Sequence, residues 1–236
     1  MNPSPRSSPV RNLFFDVGGT LLDLEPAHLL DALASGGEAE RLITAEALAR
    51  GEDEARSWFL GEMRQGGAPA DAWNGFFTRL LRGAGVREEA IPLLLKELWR
   101  RNITGGLWHR TVPGAHEALG RMKAAGLRLA VISNAEGRVA EDLAMAGLAV
   151  HFETIVDSHK VGVAKPDPRI FAIALERLGA RAEESLYIGD IYHIDVLGAR
   201  RAGMRALLLD RFRQAPDADC PRIEHLDELG IHLFAD

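Results

Sequence analysis

The stretch Leu13-Phe14-Phe15-Asp16-Val17-Gly18-Gly19-Thr20-Leu21-Leu22-Asp23 starts as an apolar run and ends in a polar, glycine-containing loop. The run is apolar on both faces and bounded by turn residues, which is typical of a buried parallel strand. Ligands of open α/β sheets bind beyond the carboxyl ends of the strands. Asp16 is therefore a candidate nucleophile or metal ligand, although an aspartate at this position also commonly starts a turn. Its role depends on the rest of the chain.

Length and composition limit the class of protein. The chain has 236 residues, 47% of them apolar, which suits one large domain or a domain with an insertion. A net charge of −6 argues against nucleic acid or an acidic membrane surface as the main partner. The single cysteine, Cys220, excludes an intrachain disulfide, and no apolar run approaches the roughly 18 residues of a membrane span. The proline- and serine-rich residues 1–10 are expected to form a disordered arm, and the protein is expected to be cytoplasmic.

After the first strand, the sequence shows only helical patterns up to about residue 105. Asp71 is a plausible N-cap, because aromatic and leucine residues follow it at spacings of three and four. A second amphipathic helix is predicted to start near Pro92. Earlier helices are predicted over 28–34 and 43–63, the latter loosened by Gly51. All four tryptophans are expected to fill a small helical core: Trp58, Trp73, Trp99 and Trp108.

From Pro113 onward, apolar runs alternate with helical patterns that stop at glycines. This alternation predicts parallel strands joined by right-handed crossovers. We therefore predict a Rossmann-like parallel sheet with helices on both faces, and a helical-bundle cap inserted after the first strand. The predicted core is 11–23 with 107–236, and the predicted cap is 24–106. Strands are expected at 128–133, 154–157, 185–190 and 205–210, and a short helix at 223–229.

Polar residues end each predicted strand: Asp16, Ser133-Asn134, Asp157-Ser158, Asp190 and Asp210. One or two strand-end aspartates mean little, because aspartate also serves in turns and helix caps. Lys165 adds to the set, because Pro166 and Pro168 hold the chain beside it in a fixed path. Asp195 follows Asp190 by five positions.

Four motifs, in this order and spacing, resemble those of the haloacid dehalogenase-like (HAD) hydrolase superfamily, in its helical-cap (subfamily IA), phosphatase-like branch. The match covers the chain from Asn12 to Asp210, and the helical segment lies where that branch inserts its cap. The motifs are Asp16-Val-Gly-Gly-Thr-Leu, Val131-Ile-Ser-Asn134, Val163-Ala-Lys-Pro-Asp-Pro, and Ile188-Gly-Asp190 with Asp195-Val-Leu-Gly-Ala.

The resemblance implies phosphoryl transfer through an aspartyl phosphate on Asp16. It implies a Mg²⁺ ion held by Asp16, the backbone carbonyl of Gly18 and Asp190, with Asp195 acting directly or through water. Lys165 would neutralise the nucleophile and the phosphate oxygens.

The resemblance also implies a phosphate-binding set and a substrate class. Ser133 and nearby backbone N–H groups, with Gly19, would hold the phosphoryl oxygens, while Thr20 would brace the loop and Asn134 would line the pocket. The substrate would be a small phosphorylated metabolite, and the protein a monomer or homodimer.

Gly18 departs from the family pattern. Phosphatases of the superfamily usually carry an aspartate there, which protonates the leaving oxygen and later helps to activate water. A positioned general acid contributes about 10²–10⁴ in rate, so slow or narrow activity is expected. A substitute acid, such as Asp23, Glu25 or a cap residue, stays open.

Several alternatives stay open. A degenerate binding or regulatory protein is favoured by Gly18 and opposed by the retained acids and Lys165. Dehalogenases use no magnesium and lack the acidic fourth motif, which argues against dehalogenation. A phosphonatase would need a cap lysine for a Schiff base, and 24–106 contains only Lys96. A phospho-receiver is opposed by the cap, and His193 is expected to face solvent.

Overall fold

The protein contains a six-stranded parallel sheet, and its computed structural model describes residues 9–65 and 72–234. The strand order is β5-β4-β1-β6-β7-β8, and each paired register is parallel. This confirms the predicted α/β class. The strands are β1 (Asn12–Phe15), β4 (Arg128–Ser133), β5 (Thr154–Asp157), β6 (Ser185–Gly189), β7 (Arg205–Leu209) and β8 (Arg222–Ile223).

Both faces of this sheet are buried, as the apolar sequences of the predicted strands indicated. Successive side chains of a strand point to opposite faces, and Leu13, Phe14 and Phe15 are all fully buried. One face forms a cluster with the helix Pro168–Leu178. The helices of this part of the chain are α5 (Ala115–Ala124), α6 (Val139–Met145), α7 (Ser158–Val161), α8 (Pro168–Leu178), α9 (Leu197–Arg201) and α10 (Leu229–Phe234).

Within the described residues, four α-helices lie between Leu24 and Trp108, which confirms the predicted helical insertion after the first strand. Within it, a Cβ added at Gly51 would lie 2.1 Å from the carbonyl oxygen of Leu80. Gly51 therefore permits a close approach between two helices instead of loosening one, and the helix runs through it without interruption. These helices are α1 (Pro26–Leu33), α2 (Ala45–Gln65), α3 (Ala72–Gly83) and α4 (Ile91–Thr104).

The tryptophans contribute to this helical core less than expected. Trp73 and Trp108 are partly buried against it, whereas Trp99 is 41% exposed. The core itself is made mainly of leucine and alanine, with Phe77 as its buried aromatic residue. The expectation that all four tryptophans fill the core was therefore wrong for Trp99.

Contacts divide the chain into two units, Leu24–His109 and the remainder. The chain passes between them through β2 (Leu22–Leu24) and β3 (Trp108–Thr111), which pair as a separate two-stranded sheet. The cap limits inferred from sequence, 24–106, stay a prediction. Most of the predicted arm and the predicted N-cap Asp71 lie outside the described residues.

The C-terminal segment differs from the predicted helix at 223–229. Ile223 pairs in β8, a short 3₁₀ turn follows, and the last helix begins at Leu229. Within 9–65 and 72–234, no helix combines the length and the apolar character that a membrane span requires.

Candidate active site

Asp16 lies directly after β1, between the two strands that flank it. Its backbone N–H donates to the carbonyl oxygen of Ile188 at 2.9 Å, and the residue is 7% exposed. The loop then turns sharply, because the amides of Thr20, Leu21 and Leu22 all donate to the carbonyl oxygen of Val17. Gly19 has a φ of 76°, which glycine adopts without strain. The sequence thus builds a tight loop immediately beside the carboxylate.

Lys165 brings a positive charge to this carboxylate. Its ammonium donates to Asp16 Oδ1 at 2.6 Å and to Asp195 Oδ1 at 2.8 Å, and the residue is 4% exposed. The amide side chain of Asn134 holds the backbone of Lys165, accepting from its N–H at 2.8 Å and donating to its carbonyl at 3.0 Å. Two groups predicted separately, Asn134 and Lys165, therefore form one unit.

Asp190 and Asp195 complete an acidic cluster with Asp16. Each of the three offers one carboxylate oxygen, and these oxygens lie within 4.8 Å of one another. Asp195 lies on a π-helical turn, Tyr192–Val196, and accepts from the N–H of Ile191 at 2.9 Å. The residues predicted at the ends of β1 and β6 thus meet at one edge of the sheet.

Burial and charge oppose each other at this cluster. Burial raises the pKa of Asp16 to about 6, against the lowering effect of the Lys165 ammonium and with a further rise from Asp195. Burial also disfavours the Lys165 ammonium, but the carboxylates of Asp16 and Asp195 outweigh it and raise the pKa of Lys165. Lys165 therefore stays charged and compensates the carboxylates of Asp16 and Asp195.

The chain matches the model of the haloacid dehalogenase-like hydrolase family over residues 10–203. It belongs to that family. This HAD chain is 30% identical over 206 residues to the haloacid dehalogenase-like hydrolase domain-containing protein 3 of Bos taurus, covering 85% of this chain and 82% of that one.

A second relative of the HAD chain is the glyceraldehyde 3-phosphate phosphatase of Methanothermobacter thermautotrophicus. The two are 30% identical over 225 residues, which is 95% of this chain and 94% of the relative. Among solved structures, the HAD-hydrolase YfnB from Bacillus subtilis, bound to magnesium, is 26% identical. It superposes with a TM-score of 0.73, covering 96% of this chain and 100% of that one.

The remaining predicted phosphate- and metal-site residues of the HAD chain lie in or beside strand-end loops. Ser133 ends β4 and is buried. Thr20 is fully buried, and within the described ranges its hydroxyl has no hydrogen-bond partner. Gly18 forms an isolated bridge with Leu22. The roles of these residues stay predictions.

Two strand-end aspartates outside the predicted site have local structural roles. Asp157 caps α7 by accepting from the N–H of His159 at 2.9 Å. Asp210 accepts from the N–H groups of Gln214 and Ala215 at 2.8 and 3.2 Å, which stabilises a turn. Both match the ordinary turn and cap roles of strand-end aspartate.

The acids considered as substitutes for the one missing at Gly18 are engaged elsewhere. Both oxygens of Asp23 accept from Arg211, at 2.8 and 3.0 Å, and Arg110 lies 3.6 Å away. Glu25 accepts from the N–H of Ala27 as the N-cap of α1. Asp23 is therefore one partner of a buried ion pair with Arg211.

Sequence reasoning missed two residues beside the predicted site. The Tyr187 hydroxyl, within β6, accepts from the Lys165 ammonium and lies 3.2 Å from Asp195 Oδ1. Arg211 donates to Asp23 and also to the carbonyl oxygen of Gly19 at 3.2 Å. A tyrosine within an apolar strand was a visible signal for the first. No residue pattern near Arg211 in the sequence indicates this role, because its partner Asp23 is 188 positions away.

Proposed function

We propose that this protein is a Mg²⁺-dependent phosphomonoester hydrolase that uses Asp16 as its nucleophile. The observation that carries the proposal is the contact of the buried Lys165 ammonium with Asp16 Oδ1 at 2.6 Å, beside the carboxylates of Asp190 and Asp195. An ammonium in this place lowers the repulsion between a carboxylate nucleophile and a phosphate dianion. The name of the phosphatase relative supports a small phosphorylated metabolite as substrate.

The acidic cluster suits a hard divalent cation. Mg²⁺ prefers oxygen ligands and is usually held by one or two carboxylates together with water. Asp16 and Asp190 would hold it, with the Gly18 carbonyl. Both oxygens of Asp195 already accept hydrogen bonds, from Lys165 and from the N–H of Ile191, which favours an action through water. When bound, the ion would neutralise charge on the transferring phosphoryl group.

The proposed reaction has two steps on Asp16. A carboxylate oxygen of Asp16 attacks phosphorus while the bond between phosphorus and the ester oxygen breaks. This step leaves an aspartyl phosphate and an alkoxide. Water then hydrolyses the aspartyl phosphate and releases inorganic phosphate. Because Gly18 offers no carboxyl proton, the alkoxide takes its proton from water, and the rate depends strongly on how stable the leaving anion is.

Hydrolysis of aryl phosphates tests this proposal. We expect p-nitrophenyl phosphate hydrolysis that requires Mg²⁺, is lost in Asp16→Asn and is retained in Asp210→Asn, a matched strand-end control. We expect Gly18→Asp to raise kcat by about 10²-fold for poor leaving groups and to flatten the dependence of rate on leaving-group pKa. An unchanged rate in Asp16→Asn overturns the nucleophile assignment.

The second candidate function is binding or regulation without turnover, which Gly18 favours. It predicts that wild type binds Mg²⁺ and phosphate but does not hydrolyse any phosphomonoester, and that Gly18→Asp creates the activity. Wild-type hydrolysis that Asp16→Asn abolishes excludes this candidate.

A further inference from the structure

Tyr187 places a hydroxyl among apolar side chains. It lies in β6, in register with Phe14 of β1, and is fully buried. Its neighbours in the cluster on that face of the sheet are mainly aliphatic, and its ring meets Phe171 edge-on at 5.1 Å. A buried hydroxyl is unfavourable unless it is hydrogen-bonded. The packing alone would be satisfied by phenylalanine, so the hydroxyl needs a separate explanation.

The hydroxyl joins three segments of the chain. It accepts from the Lys165 ammonium at 2.8 Å. It donates to the backbone carbonyl of Ile132 at 3.0 Å and lies 3.2 Å from Asp195 Oδ1. Ile132 is followed by Ser133 at the end of β4, so Tyr187 connects Lys165 to the strand that delivers this predicted phosphate-binding residue.

Lys165 depends on this hydroxyl for a complete set of partners. An ammonium has three protons, and the structure supplies three acceptors: Asp16 Oδ1, Asp195 Oδ1 and the Tyr187 hydroxyl. The two carboxylates pull the ammonium in their own directions, whereas the hydroxyl is itself anchored to a backbone carbonyl of the sheet. Removal of the hydroxyl leaves one buried N–H of a charged group without its partner.

We propose that Tyr187 is a positioning residue, whose hydroxyl holds the Lys165 ammonium against Asp16. Asn134 fixes the backbone end of Lys165, and Tyr187 fixes the ammonium end. The kinetic part of this inference rests on the proposed phosphatase function, but the positioning part does not.

Steady-state kinetics test the first part. Tyr187→Phe removes only the hydroxyl, and the matched control is Tyr192→Phe, because the chain contains two tyrosines and the Tyr192 hydroxyl bonds Asp219 instead. We expect kcat for p-nitrophenyl phosphate to fall about tenfold in Tyr187→Phe, with KM within about twofold, because a hydrogen bond to a charged group is lost beside the nucleophile. Tyr192→Phe is expected to match wild type.

A spectroscopic readout separates positioning from catalysis. Ammonium protons of lysine exchange rapidly with water unless they are buried and hydrogen-bonded, so we expect a protected ¹⁵Nζ–H signal that disappears in Lys165→Arg. Tyr187→Phe is expected to broaden or remove this signal, and Tyr192→Phe to keep it. This holds even when wild type hydrolyses nothing, in which case the phosphatase proposal fails and the positioning proposal stands.

Two outcomes overturn the inference. One is a Tyr187→Phe protein with kcat within twofold of wild type and an unchanged Lys165 signal. The other is an equal loss of kcat in Tyr192→Phe. Where Tyr187→Phe does not fold, 3-fluorotyrosine incorporated into Tyr192→Phe modifies Tyr187 alone and weakens its hydroxyl as an acceptor. We then expect a smaller fall in kcat, and an unchanged kcat and Lys165 signal overturn the inference.

Discussion

Substitution of Gly189 by alanine should disrupt the acidic cluster without removing any charged group. Gly189 ends β6 and has the Asp195 side chain lying over it. A Cβ added there would lie 2.4 Å from Cγ and 2.5 Å from Oδ2 of Asp195. Carbon–carbon contacts are most favourable at about 3.5–4.0 Å. The Asp195 carboxylate must therefore move by roughly 1 Å.

That movement has an energetic consequence that follows from the contacts of Asp195. Its Oδ1 accepts from Lys165 at 2.8 Å and its Oδ2 from the N–H of Ile191 at 2.9 Å. A displacement of roughly 1 Å takes at least one of these bonds beyond hydrogen-bonding distance. Overpacking costs about 1–3 kcal/mol, and one hydrogen bond to a charged group about 1.5–3 kcal/mol. We expect a loss of about 3 kcal/mol in unfolding free energy.

Thermal unfolding and kinetics measure the effect. A loss of about 3 kcal/mol corresponds to a fall in Tm of roughly 6–12 °C for a domain of this size. Phosphatase activity should fall as well, because Lys165 loses a fixed partner. Gly120→Ala is the matched control, since a Cβ at Gly120, within α5, has nothing within 4 Å. It should raise stability by up to about 1 kcal/mol. A Tm for Gly189→Ala within 1 °C of wild type would refute the reasoning.

Three further predictions concern other contacts. Arg211→Gln should lower kcat and lower the free energy of unfolding by no more than about 3–5 kcal/mol, because it breaks the ion pair with Asp23 and frees the glycine loop. Unchanged kinetics in a folded variant would contradict a role in the loop. Hydrogen bonds from Arg100 and Arg101 lower the pKa of Glu97 to about 2. The folding stability that these bonds contribute above about pH 4.5 should therefore be lost as the pH falls toward 2. Tm measured over this range should decline less steeply in Glu97→Gln than in wild type. Gly51→Ala should lower Tm and Gly61→Ala should not, because a Cβ meets backbone only at the first; equal Tm values would contradict the close helix approach.

The sheet was predictable from sequence because its signals are local. The predicted strands 128–133 and 154–157 coincide with β4 and β5, and α8 ends with Gly179 as its C-cap, as expected of helical patterns that stop at glycines. Apolar runs, a proline at the first helical turn and a terminal glycine suffice for these elements. The clustering of the polar groups at the strand ends was predictable as well, because parallel strands bring their carboxyl ends to one edge of the sheet.

What sequence did not predict depends on contacts between distant segments. The π-helical turn Tyr192–Val196 replaces a simple helix start, and no residue pattern announces it. Gly51 resembled a helix breaker, although a facing backbone requires it. The contact of Tyr187 with Lys165 and the contact of Arg211 with Asp23 follow from the strand order. That order places side by side residues that are far apart along the chain.

The position of β1 has a consequence for synthesis. It is the first strand of the sheet to leave the ribosome, yet it pairs with β4 and β6, and Asn12 meets Ser185 across 173 positions. At about 5–20 residues per second, the run Leu13-Phe14-Phe15 waits roughly 10–35 s for its second neighbour. During that interval its apolar side chains and unpaired backbone are open to other chains. We therefore expect the protein's soluble yield to depend on chaperones that shield apolar strands more than its final stability does.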